Sequence, residues 1–409
     1  MSNPATKLID PLHHVTPEFL QDPYPTMQRL RSEAPVFWSD KGKYWIITRY
    51  SDAHTILRDQ SYEKGLSRMG QVNPLVNLIP PASELRKSTS HWMLTQNPPD
   101  HTRLRSLLNK AFTPAMVQQM RPDIQEIADR LIESVRGKRQ VELVSEYAFV
   151  LPVTVIAAML GVPAEDRDKF HKWSHALTEM LEPRMTLDLG RINRANEANK
   201  ELIEYLRPLV QERRKNPRND LISALVEAEE QGSKLTEDEL LANCVLLLVA
   251  GHETTVNLIG NGVLALLRNP DQLELLKKEP DLIQSAVEEF LRYESPIQLV
   301  RRVAAYDMEL GGQKIDKDDM LVVLLGACNR DPEVFPNPDK LDIRRSPNKH
   351  IAFSEGIHFC LGASLARLEG QIAISTLFKE LPDIRLATEK LEFKQPFALR
   401  GLKEMPVSF

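Results

Sequence analysis

The sequence predicts a mainly α-helical fold with a minor β-rich portion, organised as one unit over residues 1–409. Three observations carry this. Apolar residues recur at three- and four-residue spacing over residues 115–136, 197–214, 237–268, 281–293 and 361–379, the period of a helix with one buried face. Strand-like runs are confined to Tyr44–Thr48 and residues 303–325, where Gly311-Gly312 sets a turn between two of them. No internal repeat, low-complexity tract or flexible linker marks a boundary, although the length alone would allow two or three domains.

Composition narrows the function. Hydrophobic residues make up 42% and charged residues 27%, an ordinary globular balance. A net charge of -5 argues against nucleic acid as the main partner, because phosphate contacts need a basic surface. Met1–Asp10 is short and polar, without the apolar core of a signal peptide. The most apolar stretch, Cys244–Ala250, falls well short of the roughly twenty residues of a membrane span. Cys244, Cys328 and Cys360 are too far apart for a disulfide framework or a zinc cluster. A soluble, cytoplasmic protein is expected.

In chain order, Pro98-Pro99-Asp100-His101-Thr102-Arg103-Leu104-Arg105 reads as a helix start, with proline and an acid in the first turn. His101 and Arg105, four apart, share a face. His171 and His175 have the same spacing, but Lys172, Trp173 and Ser174 supply no metalloprotease acid, and a solvated helix face accounts for them.

The helix over 237–268 is apolar on most faces, and its centre reads Ala250-Gly251-His252-Glu253-Thr254-Thr255. Gly and Thr both weaken helices, so this centre breaks local preference. Either a threonine hydroxyl bonds back to a carbonyl one turn earlier, or the helix opens locally into a groove. Glu253 and Thr254 together suit a reaction that consumes protons. On residues 281–293, Glu289 and Arg292 flank the stripe Ile283, Ala286, Val287 and Phe290. By spacing alone they are an exposed ion pair worth a few tenths of a kcal/mol.

The decisive segment is Phe353-Ser354-Glu355-Gly356-Ile357-His358-Phe359-Cys360-Leu361-Gly362. Cys244 and Cys328 read as small buried hydrophobes. Cys360 instead lies just before an amphipathic helix, whose free N–H groups and dipole stabilise a thiolate. Gly356 permits a positive-φ turn, and Gly362 removes a side chain where the helix nears a flat ligand. A thiolate held in this way pushes electron density onto haem iron.

This segment resembles the cysteine-ligand loop of the cytochrome P-450 family at every fixed position, with Ser354 where the family often has a second glycine. The resemblance covers nearly the whole chain and implies the family's triangular-prism fold with haem b, and no other metal, as cofactor. It implies Cys360 as axial ligand of the iron, with Phe353, Gly356 and Gly362 shaping its loop. Residues 250–255 resemble the oxygen-activation motif: Ala250 and Gly251 border the oxygen site, Thr254 donates a hydrogen bond there, and Glu253 relays protons. His101, Arg105, Arg302 and His358 are the candidates for the haem propionates, with Arg301 the alternative to Arg302. Glu289 and Arg292 match the ExxR element, which ties into the coil from Asn329 to Pro338 and supports the fold.

The activity implied is O2- and NAD(P)H-dependent hydroxylation of a hydrophobic small molecule by a monomer, with electrons from a separate ferredoxin or flavodoxin. Arg103, Lys110, Arg344 and Arg345 are candidates for its docking patch. Leu246, Val249, Ala250, Ile297, Leu299, Val300 and Phe397 are candidate substrate-lining residues, with residues 65–95 and 180–195 as lids. Two rivals remain: a peroxide-driven peroxygenase, and a haem-binding sensor or carrier without turnover. The presence of Glu253-Thr254 counts against both.

Overall fold

The structure, a computed structural model, describes residue 8 and residues 10–64, 83–181, 189–230, 235–395 and 397–409. Residues 65–82 and 182–188, the centres of the two expected lids, lie outside the described residues.

The organising element is the central helix Glu237–Arg268, whose 32 residues span about 48 Å. It starts on a reciprocal capping box: Thr236 Oγ1 accepts from the Glu239 N–H, and Glu239 Oε2 accepts from the Thr236 N–H at 2.8 Å. Most of its residues are buried, which explains an apolar run too continuous for one amphipathic stripe. The helix is long and apolar enough to cross a membrane, but 72% of its apolar window lies inside the protein, as expected of a core helix. Against it pack Val150–Met159, Ala363–Glu380, Leu189–Lys215, Ile283–Tyr293 and Arg167–Leu181.

The expected helices are present with shifted edges. Residues 115–136 form two helices, Pro114–Gln119 and Arg121–Arg136, divided at Met120. Pro122 lacks an N–H and so suits the first turn of a new helix rather than the interior of a continuing one. The long helix around 197–214 begins earlier, at Leu189, and ends at Lys215. Val150–Met159 carried no periodic signal because nearly every side chain in it is buried.

Strands Val36–Ser39, Tyr44–Ile47, Met320–Leu324 and Leu299–Val303 form a sheet in that order, parallel only at its centre. Met308–Leu310 and Gln313–Ile315 make a hairpin through Gly311 and Gly312, at φ 57° and 75°. A third sheet joins Gln140–Glu142, Pro406–Ser408 and Arg385–Leu386. These last strands are only two or three residues long, too short for alternation to reveal.

Candidate haem-thiolate site

The cysteine loop closes on itself: the Cys360 N–H donates to the Phe353 carbonyl at 2.9 Å. Two residues inside it have left-handed backbone, Ser354 at φ 60° and Gly356 at φ 68°. A Cβ on Gly356 would run into the Leu57 carbonyl and stand 3.0 Å from the Arg58 Cα, so both conformation and space demand glycine. Ser354 adopts the same region without that freedom, and its buried Oγ has no partner among the described residues. Gly362 caps Ala363–Glu380, and among the described residues no atom beyond its chain neighbours lies within 4 Å of a Cβ built on it.

Burial pushes the Cys360 thiol up, opposed by the Gly362 N–H and by the charges of Arg105, Arg367 and Lys64. Cys244 and Cys328 lie fully buried, and burial raises the Cys244 thiol to about 12. Cys360 alone of the three combines partial exposure with a helix N-terminus and nearby cations.

Around this loop stands a group of nitrogen donors, two histidines beside Lys64, Arg105 and Arg302. His101 and His358 have ring centroids 4.2 Å apart. Among the described residues, both ring nitrogens of His101, Nε2 of His358, Nη2 of Arg302 and also Nε of Arg301 are buried without a hydrogen-bond partner. Burial, reinforced by Arg105, Lys64 and Arg302, lowers His101 to about 4, and burial with the same neighbours lowers His358 to about 2. Arg302 is lowered by burial to about 10. Arg105 reaches the loop itself, donating to the Phe359 carbonyl at 2.7 Å. Strand alternation separates the two neighbouring arginines: Arg302 acts on the histidine pair, whereas Arg301 is influenced by Tyr44. Lys64, which the sequence did not single out, joins the group and is lowered to about 7 by burial and Arg302. Buried donors so placed without an anion are costly; they fit the two propionates of haem.

The central helix runs unbroken through residues 250–255, so the expected local opening is absent. Instead Thr254 Oγ1 donates to the Ala250 carbonyl and Thr255 Oγ1 to the Gly251 carbonyl, each at 2.8 Å. This is the hydroxyl-to-carbonyl return of the first reading. Within this mostly buried helix Ala250 is exposed, and Gly251, Glu253 and Thr254 are half-buried. Among the described residues, no atom outside its own turn of helix lies within 4 Å of a Cβ built on Gly251.

Two neighbours of this stretch, Lys394 and Glu369, were not legible in the sequence, nor were the partners of His252 within it. Lys394 binds Glu253 at 2.6 Å. Glu369, buried on the cysteine helix Ala363–Glu380, meets the Thr255 hydroxyl; burial pushes its carboxyl well above the ordinary range, and Thr255 pulls it back. His252 is fully buried, with Nδ1 2.6 Å from Ser174 Oγ and Nε2 3.2 Å from the Phe149 carbonyl. His171 and His175 edge the same Phe149 ring, at 5.6 and 6.5 Å.

Glu289 and Arg292 are both wholly buried, unlike the exposed pair that spacing alone would suggest. Arg292 also donates to the carbonyls of Asn329 and Pro338, at 3.0 and 2.8 Å. Arg345 joins Glu289 from the same coil at 3.0 Å. Asn329 then receives the Ile351 N–H at 2.8 Å, which carries the clasp to the base of the cysteine loop.

The expected docking patch is mostly spoken for within the molecule. Arg103 pairs with Glu239, Arg344 with Glu279 and Arg345 with Glu289; Lys110 is exposed. Phe359, next to Cys360, is 41% exposed, a large apolar side chain at the surface.

The candidate substrate residues divide. Leu246 and Val249 are buried in the core, and Phe397 packs on Phe19 with ring centroids 5.0 Å apart. Ile297, Leu299 and Val300 are half-buried. Alternation puts Val300 on the face of Arg302 and Leu299 on the opposite one, so these two do not line one wall together.

Comparison with known proteins agrees with this geometry. A family profile described as cytochrome P450 matches residues 44–382. The chain is 42% identical to a biotin biosynthesis cytochrome P450 of Bacillus subtilis, over 96% of this chain and 97% of that one. It superposes with TM-score 0.86 and 42% identity on the crystal structure of P450BioI in complex with an acyl carrier protein ligated to hexadec-9Z-enoic acid, covering 96% and 99% of the two chains. The myxobacterial cytochrome P450 CYP267B1 in complex with myristic acid gives TM-score 0.87 at 41% identity, with 98% of each chain covered.

Proposed function

The chain belongs to the cytochrome P450 family, a haem b oxidoreductase family, and from that premise we propose an O2- and NAD(P)H-dependent monooxygenase acting on a hydrophobic small molecule. The observation that carries the site assignment is the group of partnerless buried donors on His101, His358 and Arg302 beside the Cys360 loop.

When bound, haem b supplies the iron centre at which dioxygen is reduced and one of its oxygen atoms inserted into substrate. Cys360 presents the thiolate, stabilised by the Gly362 N–H and by the charges of Arg105, Arg367 and Lys64. His101, Arg105, Arg302 and His358 hold the propionates. Thr254 Oγ1, returned to the Ala250 carbonyl at rest, turns to donate into the oxygen site; Glu253 delivers protons from solvent. Half-buried Val300 and exposed Ala250 border the substrate. Long acyl chains are the first class to screen, because two relatives carry them in their solved complexes.

Electrons arrive from a separate acidic ferredoxin or flavodoxin in the cytoplasm. Exposed Phe359 forms the apolar centre of its landing site, with exposed Lys110 on the rim.

The test is the absorbance spectrum of the reduced protein with carbon monoxide. A strongly red-shifted Soret band, lost in Cys360→Ala, establishes thiolate ligation by that residue. Wild-type protein that takes up haem yet shows only the band of a neutral ligand overturns it and favours a sensor or carrier. Product formed with peroxide but not with ferredoxin, reductase and NAD(P)H would instead identify a peroxygenase.

A further inference from the structure

Along the central helix, Glu253, Asn257 and Asn261 recur every four positions. Four-residue spacing puts the three on one face, and buried polar groups need partners. That face lies against the C-terminal segment. Lys394 Nζ reaches Glu253 Oε1 at 2.6 Å. Asn257 lies against Gly401, where any Cβ would collide with its carboxamide. Asn261 donates to the Arg400 carbonyl at 3.0 Å.

The segment that carries Lys394 is held firmly. The Lys394 N–H donates to the Gly401 carbonyl and the Lys403 N–H to the Glu392 carbonyl, each at 2.8 Å, while Phe393 bridges Leu402. The Arg400 guanidinium pairs with Glu294 and donates to the Leu20 carbonyl at 2.6 Å and the Gln21 carbonyl at 3.1 Å. Lys394 therefore offers its ammonium from a fixed stem rather than from a loose surface chain. The two side chains are only 22% and 12% exposed, so the pair is partly shielded from solvent. Among the described residues Lys394 engages Oε1 alone, and Oε2 of Glu253 accepts no hydrogen bond.

We propose that Lys394 is a positioning residue for oxygen activation: it clamps one oxygen of the Glu253 carboxylate, so that the other stands fixed on the proton path beside Thr254. A glutamate has three rotatable side-chain bonds, and a relay works only within hydrogen-bond reach of its acceptor. The ion pair removes that freedom in advance. The inference rests on Glu253 acting as the proton relay.

The experiment needs no substrate. Wild type, Lys394→Met, Lys394→Gln, Lys394→Arg and Glu253→Gln are turned over with ferredoxin, ferredoxin reductase and NADPH. The readouts are the fraction of consumed dioxygen released as hydrogen peroxide, the solvent deuterium isotope effect and, without turnover, the urea unfolding of Lys394→Met, Glu253→Gln and the double variant, in which a coupling between the two changes reports the pair and additivity overturns it. Haem content and the carbon monoxide band select the variants that fold. Lys394→Met, or Lys394→Gln should the first not fold, is expected to lower the fraction of dioxygen reduced fully to water at least two-fold, with peroxide rising to match, and to enlarge the isotope effect. Lys394→Arg is expected to restore both. Wild-type values in Lys394→Met or Lys394→Gln, alongside disturbed values in Glu253→Gln, overturn the role of Lys394 and leave the relay intact. Failure of Lys394→Arg to restore either readout also overturns it, pointing to hairpin packing. Wild-type behaviour of Glu253→Gln removes the relay reading itself.

Discussion

Arg292 closes a two-bond fork on Glu289, Nε to Oε2 and Nη2 to Oε1 both at 2.8 Å, with neither side chain exposed to solvent. The fork is one turn of helix in sequence, yet its remaining bonds reach a coil some 37 to 59 residues further along the chain. It therefore fastens the ground beneath the cysteine loop rather than its own helix.

Breaking a buried pair from one side leaves the other charge uncompensated. Glu289→Ala and Arg292→Ala should each cost about 3–5 kcal/mol and abolish stable haem incorporation. Urea or thermal unfolding with haem content as the second probe checks this. A loss under 1 kcal/mol would mean that the coil finds other support.

Ser354 stands at φ 60°, where an L-residue is strained, and its buried hydroxyl is unpartnered. Ser354→Gly is expected to stabilise the protein by up to about 1 kcal/mol, less the entropy glycine brings to the unfolded chain. Thermal unfolding should show a rise or no change; a clear fall would show that the hydroxyl has a partner once the haem is in place.

Arg302 and His101 are predicted to grip the haem edge without touching its electronic state. Arg302→Gln or His101→Ala should speed haem transfer to an excess of apomyoglobin by about ten-fold or more, from charge-assisted bonds of about 1.5–3 kcal/mol. The position of the carbon monoxide band should stay unchanged. Arg301→Gln, on the other strand face, is the control that should leave haem retention as it was.

Glu288 links the helix Ile283–Tyr293 to the cysteine region: Arg367 donates to it at 2.6 and 2.9 Å and His350 Nε2 lies 3.1 Å away. Burial alone would raise this carboxyl, but the bonds and charges of His350 and Arg367 hold it down at about 2. A carboxylate depressed in the folded state contributes stability above its ordinary value near 4.5 and loses it as pH falls toward about 2. Glu288→Gln should thus cost roughly 2 kcal/mol at neutral pH, with the gap to wild type closing between those two values. A gap that stayed constant with pH would show that the packing of the side chain, not its charge, matters.

The sequence by itself determined the chemistry that travels in contiguous residues. A ten-residue loop needs its glycine and cysteine at fixed spacing because backbone geometry is local, and Gly356 indeed sits at φ 68° beside the Leu57 carbonyl. A 32-residue helix with its own capping box was likewise written in consecutive positions. Tertiary structure decided whatever depends on which side of an element faces which neighbour. Spacing could not tell that Glu289 and Arg292 are buried, because the coil that covers them is distant in the chain. It could not separate Arg301 from Arg302 without the sheet that sends alternate side chains to opposite faces. Three cations chosen for a docking patch are also paired within the molecule, and the lysine that holds Glu253 comes from 141 residues downstream. Charges act through space, and only the folded chain fixes that space.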